Sequence, residues 1–215
     1  MATVDPITGN INFKILYWGT PFSGKATNLQ AIHSRLEVAQ RTQLHLKTTS
    51  ADQLISFAFT PPETPGLDGR LATFQLFAVT GVVHYNATLE LLLKGTDGLV
   101  FVIDSTATRL AENLAAVKNL EANLNFAKRA WETLPVVLQY NKRDLPDSLS
   151  LEQLDRNFNS NTYRYPAFEA AASQGIHVFE TLNTICGMAL YQYIHLSKNA
   201  ESLASQAAGR SEATL

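Results

Sequence analysis

Two short runs in this chain, Leu99–Ile103 and Val136–Leu138, are apolar at every position. A strand with one face in water alternates apolar and polar residues. One with no polar position needs cover on both faces, which the helices of βα units supply around a mostly parallel sheet. The rest of the chain fits that demand, because short apolar runs alternate with longer amphipathic stretches. Strands are expected over Phe13–Trp18, Leu44–Thr48, Leu54–Thr60, Leu71–Val79, Gly98–Ile103, Val136–Tyr140 and Ala167–Ala171. The stiff segment Pro61–Gly66 makes Leu54–Thr60 and Leu71–Val79 an antiparallel pair. Leu110, Leu114, Val117, Leu120 and Leu124 recur at spacings of three and four, one face of a long helix. Ser150-Leu151-Glu152-Gln153 has capping-box spacing and should open another. A last helix is expected over Ile176–Leu196, and 197–215, rich in Ala, Ser and Glu without an apolar period, reads as a mobile polar tail. The expected organisation is α/β, with one domain over 1–196, a tail over 197–215 and no internal repeat.

With 46% apolar residues, a chain of 215 can bury a sizeable core. Only 17% are charged and the formal net charge is −2. A near-neutral chain without a Lys/Arg block is unsuited to non-specific nucleic-acid or membrane-surface binding. The single cysteine, Cys186, excludes an intramolecular disulfide and a cysteine zinc cluster, and suits a reducing cytoplasm. The start, Met1-Ala2-Thr3-Val4-Asp5-Pro6, has no basic or apolar leader region. No lipidation motif or membrane-length apolar run occurs. The expectation is a cytoplasmic protein without a direct membrane anchor.

The strongest local motif is Gly19-Thr20-Pro21-Phe22-Ser23-Gly24-Lys25-Ala26-Thr27. Its G-x-x-x-x-G-K spacing falls between an apolar strand and a helix continuing through Leu29, Ile32 and Leu36. Such a loop turns backbone N–H groups inward, adds the positive end of a helix and lets Lys25 reach the phosphates of a nucleotide. The motif normally continues with Ser or Thr, whose hydroxyl holds Mg²⁺. Here that position is Ala26. Thr27 is one residue further, about 100° round the helix, so metal binding should be weakened while phosphate binding survives. Asp104, at a strand end, is a weaker metal candidate and is better suited to capping the next turn.

A second motif, Asn141-Lys142-Arg143-Asp144, follows the strand Val136–Tyr140. A carboxylate at Asp144 can accept from the N1–H and 2-amino groups of guanine together, a donor pair that adenine lacks. The Lys142 stem would lie along the ring. Both motifs sit at strand C-terminal ends, where α/β sheets bind ligands. Glu169-Ala170-Ala171-Ala172-Ser173 adds a weaker third segment, with backbone N–H groups at Ala171 and Ala172 that would contact the guanine O6.

With these segments the chain resembles the Ras-like small GTPases, and more narrowly the bacterial MglA type associated with cell polarity in gliding and twitching motility. The likeness is carried by Lys25-Ala26-Thr27-Asn28-Leu29-Gln30, by Leu93–Val102 and by Gln139–Pro146, and it spans about Asn12 to Leu190. It implies a P-loop small-GTPase fold, a mostly parallel six- to seven-stranded sheet with helices on both faces. It also implies GTP and GDP as ligands, and a Roadblock-type dimer (MglB-like) as a common activating partner. Protein partners would meet the switch-like regions 48–60 and 78–90.

Against that family pattern the chain departs where catalysis would lie. The switch arginine and threonine align with Gln53 and Leu54. The D-x-x-G segment is Ala78-Val79-Thr80-Gly81, which keeps the phosphate-side Gly81 without a carboxylate, although MglA-type chains lack that Asp as well. The water-orienting glutamine is replaced by Val82. With Ala26, four groups of the hydrolytic apparatus are missing together. Asp52 or Arg41 could lie near the phosphates instead. Three readings stay open: a guanine-nucleotide protein with slow or absent hydrolysis, a GTPase completed by a partner, and a nucleotide-free scaffold. No histidine cluster offers another metal site. His84 and Tyr85 fall in a switch-like region, and Trp18 and Trp131 read as packing residues.

Overall fold

The computed structural model describes residues 2–48, 52–81, 92–127, 133–160 and 164–212. Eight strands form one sheet. They are β1 (Thr3–Val4), β2 (Ile11–Trp18), β3 (His45–Thr48), β4 (Asp52–Phe59), β5 (Ala72–Gly81), β6 (Gly98–Asp104), β7 (Val136–Asn141) and β8 (Ala167–Glu169). The described helices are α1 (Lys25–Arg35), α2 (Leu110–Phe126), α3 (Leu151–Phe158) and α4 (Val178–Glu212). Strand order is β3-β4-β5-β2-β6-β7-β8, with β1 antiparallel on the start of β2.

All seven expected strands are present with slightly different ends. The eighth, β1, is two residues long and leaves no run to read. β2 pairs parallel with both β5 and β6, and β7 pairs parallel with β6 and β8. The Pro61–Gly66 segment does join an antiparallel pair, registered from Asp52↔Gly81 to Phe59↔Phe74.

The doubly apolar strands are covered as their composition demands. On one face Ile11, Phe13, Ile15 and Tyr17 of β2 join Val100, Val102 and Val137, packed against Leu29 and Ile32 of α1 and Leu182 and Ile185 of α4. On the other face Leu16, Trp18, Leu99, Phe101, Ile103, Leu138 and Tyr140 pack against Leu120 and Leu124 of α2 and Leu154 of α3. Burying each such side chain contributes about 1.5–3 kcal/mol relative to leaving it in water. A polar seam runs through the first layer. Asn28 of α1 and Gln139 of β7 exchange two amide bonds of 2.7 and 3.0 Å, and Gln139 Nε2 also donates to Thr181 Oγ1 of α4 at 3.1 Å. Each buried amide is thereby satisfied, and α1 is held in register with the strand that carries the second motif.

α4 differs from expectation. The boundary at Leu196 falls inside it, and the helix runs on to Glu212. Beyond Leu196 the apolar period stops, but Ala, Glu, Leu and Gln favour helix on their own backbone and rotamer terms. No helix among the described residues is long and apolar enough to cross a membrane.

Candidate nucleotide-binding site

β2 is the strand at which the sheet order reverses: β5 lies on one side, reached antiparallel-first through β3 and β4, and β6 on the other. The crevice at the C-terminal end of such a strand is where open α/β sheets take ligands. Residues 19–25 connect β2 to α1 at that point.

Loop geometry follows from its glycines and from Lys25. Gly24 has φ +102, and a Cβ there would stand 2.1 Å from Asn141 Nδ2. Gly19 has φ +147, and a Cβ would fall 2.2 Å from the Val102 carbonyl oxygen. Only glycine lets the loop approach both neighbours. No side chain caps the start of α1, which leaves its first N–H groups without a side-chain acceptor, and the first helical bond is Asn28 N to Gly24 O at 3.0 Å. Lys25 is 3% exposed. Its Nζ donates to the carbonyls of Gly19 at 2.8 Å and Thr20 at 2.6 Å. Burial pushes the Lys25 ammonium down to about 7, and the neighbouring Arg109 charge acts in the same direction. A buried ammonium held only by carbonyl dipoles is completed by an anion.

The second motif is joined directly to this loop. Asn141 Nδ2 donates to the Ser23 carbonyl at 2.7 Å, and Asn141 Oδ1 accepts from Ala172 N at 2.9 Å. One side chain therefore ties the phosphate loop, the 141–144 turn and the 169–173 segment. Lys142 adopts φ +66, and its Nζ pairs with Asp104 Oδ2 at 2.7 Å. Asp144 is exposed at the rim, where its Oδ2 accepts from Ser173 Oγ at 3.3 Å. The two N–H groups expected near a guanine O6 both have partners within the protein. Ala172 N–H is used by Asn141, and Ala171 N–H donates to Ile176 O at 3.3 Å.

Sequence reasoning missed Arg109 and Asn113, which sit on the α2 side of the loop. Arg109 Nη2 donates to the Pro21 carbonyl at 2.8 Å, while Nη1 pairs with Glu112 at 2.6 Å and Nε lies 3.9 Å from Asp104. Asn113 Oδ1 accepts from Asp104 N at 3.3 Å and from Thr20 Oγ1 at 3.4 Å. Neither residue belongs to a motif, and only the packing of α2 against the loop brings them in. A neighbouring cavity of about 290 Å³, lined by Trp18, Thr20, Pro21, Lys25, Val79 and Ala116 among others, includes no residue of 141–144. It is therefore not where a base reads Asp144. Trp18 packs as expected, buried, with its indole N–H on the Ala116 carbonyl at 3.3 Å.

The metal candidates do not assemble. Ala26, in the first turn of α1, packs against the core layer. Asp104 has both oxygens engaged, Oδ1 by the backbone N–H and hydroxyl of Thr106 and Oδ2 by Lys142. No hydroxyl bond of Thr27 directs it to the loop, and the described residues hold no cluster of three His, Cys, Asp or Glu. Among the described residues, Ala26 and Asp104 therefore do not fit a resident Mg²⁺. Gln53 and Leu54 lie in a paired strand, opposite Thr80 and Val79 of β5 and Thr48 and Lys47 of β3. Arg41 is held by the Leu36 carbonyl and His33, at the end of α1 remote from Lys25. Val82, His84, Tyr85 and Trp131, with most of 78–90, lie outside the described residues.

Comparison with known proteins places this geometry. The ADP-ribosylation factor (Arf) family model matches residues 4–193. The chain is 35% identical over 190 residues to the mutual gliding-motility protein MglA of Myxococcus xanthus (strain DK1622), covering 88% of this chain and 96% of that protein. The chain belongs to the Arf/Ras-like small GTPases, of the MglA type. In this small GTPase the matched span takes in both the phosphate loop and the 141–144 turn. The match ends at residue 193, inside α4.

Proposed function

We propose that this small GTPase binds GTP and GDP, hydrolyses GTP slowly or not at all by itself, and acts as a protein-interaction switch in bacterial cell polarity or motility. The observation that carries the nucleotide reading is Asn141, which joins the phosphate loop to the 141–144 turn through Ser23 and to 169–173 through Ala172. Lys25 and the α1 N–H groups hold phosphate, and Asp144 selects guanine. The reading of slow hydrolysis rests on Gln53 and Leu54, which occupy the positions of the family arginine and threonine. An arginine placed on the transferring phosphate is typically worth ~10³–10⁵ in rate, and glutamine carries no charge to replace it.

Protein partners meet the 48–60 and 78–90 regions. Within the first, Ile55, Phe57 and Phe59 are buried, so the contact falls on the opposite face of β4 and on β3, a fully exposed edge strand. The motility context is supported by the MglA relative. A Roadblock-type dimer is the partner class to try first.

Nucleotide released on denaturing the purified protein tests the reading. Guanine nucleotide retained through EDTA is the expected result, since Ala26 offers no metal ligand. Adenine nucleotide, or none after loading with GDP, overturns it. Single-turnover GTP hydrolysis should be far below that of ordinary small GTPases. A large acceleration by a Roadblock-type dimer would replace slow hydrolysis with partner-completed catalysis.

A further inference from the structure

The phosphate loop contains a residue that its own backbone disfavours. Ser23 N donates to the Thr20 carbonyl at 3.2 Å, closing a turn with Pro21 and Phe22 at its centre. Phe22 has φ +63. The position after a turn proline with positive φ is one that glycine or asparagine takes without strain, and a phenylalanine does not. The same side chain is 87% exposed. A large ring in the left-handed region gains nothing from the fold around it.

Its neighbours fix the backbone on either side of it. The Pro21 carbonyl is held by Arg109 from the α2 side, and the Ser23 carbonyl by Asn141 from the guanine-reading turn. The ion chain Lys142–Asp104–Arg109 joins those two sides behind the loop. Phe22 is therefore carried between Pro21, held from the α2 side, and Ser23, held by Asn141 next to the phosphate cradle at Gly24–Lys25. A nucleotide with its phosphates at Gly24–Lys25 and its base at Asp144 passes its ribose over the Ser23–Asn141 junction, one residue from Phe22.

We infer that Phe22 is a retention residue, whose ring packs over the ribose of bound guanine nucleotide and slows its release. This rests on the guanine-nucleotide reading above. The ring strains the empty loop and is covered only when ligand is present, so its contact stabilises the bound state alone. Sheltering part of a phenyl ring corresponds to roughly tenfold in release rate.

The test is release of radiolabelled GDP from full-length Phe22→Gly, Phe22→Asn and Phe22→Leu, with thermal melting of each nucleotide-free protein. Gly and Asn relieve the backbone and remove the ring. Both should release GDP about tenfold faster than wild type, with little change in association rate and no loss of melting temperature. Leu, apolar but strained, should stay within a few-fold of wild type. Unchanged release in Gly and Asn overturns the inference, and assigns the exposed ring to a protein partner instead. Faster release accompanied by lower melting temperature also overturns it, since that marks a structural role. Wild-type protein that takes up no guanine nucleotide defeats the site reading itself, whereas uptake with unaltered variants defeats only the role of Phe22.

Discussion

Lys25 couples the site to pH. Its folded value of about 7 lies below the ordinary 10.5 for lysine. Between those values the unfolded chain holds a proton that the folded chain has released. Stability of the nucleotide-free protein therefore rises with pH across this window and is flat below it with respect to this group, at up to about 1.4 kcal/mol per pH unit. A phosphate beside the ammonium favours the charged form, so binding takes up a proton above pH 7. GDP affinity should fall as pH rises from 7 to 9, and Lys25→Met should flatten both dependences while weakening binding. Calorimetric titration in two buffers of different ionisation enthalpy measures the proton uptake directly. A wild-type uptake no larger than that of Lys25→Met would refute the assignment. At this scale the motif residues were legible in the sequence, because G-x-x-x-x-G-K and N-K-x-D each state a local chemistry. Arg109 and Asn113 were not, since they reach the loop through the docking of α2 and have no fixed spacing from it.

Elements were legible where period and punctuation agreed. The Ser150 cap is formed as expected: its side chain accepts from Gln153 N at 3.2 Å, and Gln153 Oε1 accepts from Ser150 N at 2.9 Å. α3 is only eight residues long, too short to persist without caps and packing. It also presents Asp155 to the Tyr140 hydroxyl at 2.7 Å, bracing the end of β7. Burial, with that carboxylate added, holds the Tyr140 phenol well above its usual range. Ser150→Ala should cost about 1 kcal/mol, read as a drop of roughly 2–4 °C in melting temperature. An unchanged melting temperature would mean that tertiary packing alone holds α3. The end of α4 was illegible for a related reason. An apolar period reports burial, and a helix that continues on propensity alone carries none.

For the whole molecule, the doubly apolar strands carried the most information, and both core layers follow from them. What they leave unstated is which strand lies where the order reverses. Knowing that β2 does turns two motifs more than a hundred residues apart into one crevice, joined by Asn141 and by the Asn28–Gln139–Thr181 seam. That seam reaches α4 near its start, at Thr181, and between Val178 and Asn199 the last buried core residue of α4 is Ala189. Ile194 is also packed against that layer. The family match ends at 193. Past Leu196 the sequence of α4 carries no apolar period with which to extend that layer. A chain ending at Leu196 should keep GDP affinity within about twofold and melt within a few degrees of the full chain. Its far-ultraviolet circular dichroism should lose the helical signal of 197–212 at 25 °C. Loss of nucleotide binding or a large fall in melting temperature on this truncation would place the domain boundary further along α4 and make the extension part of the folded domain.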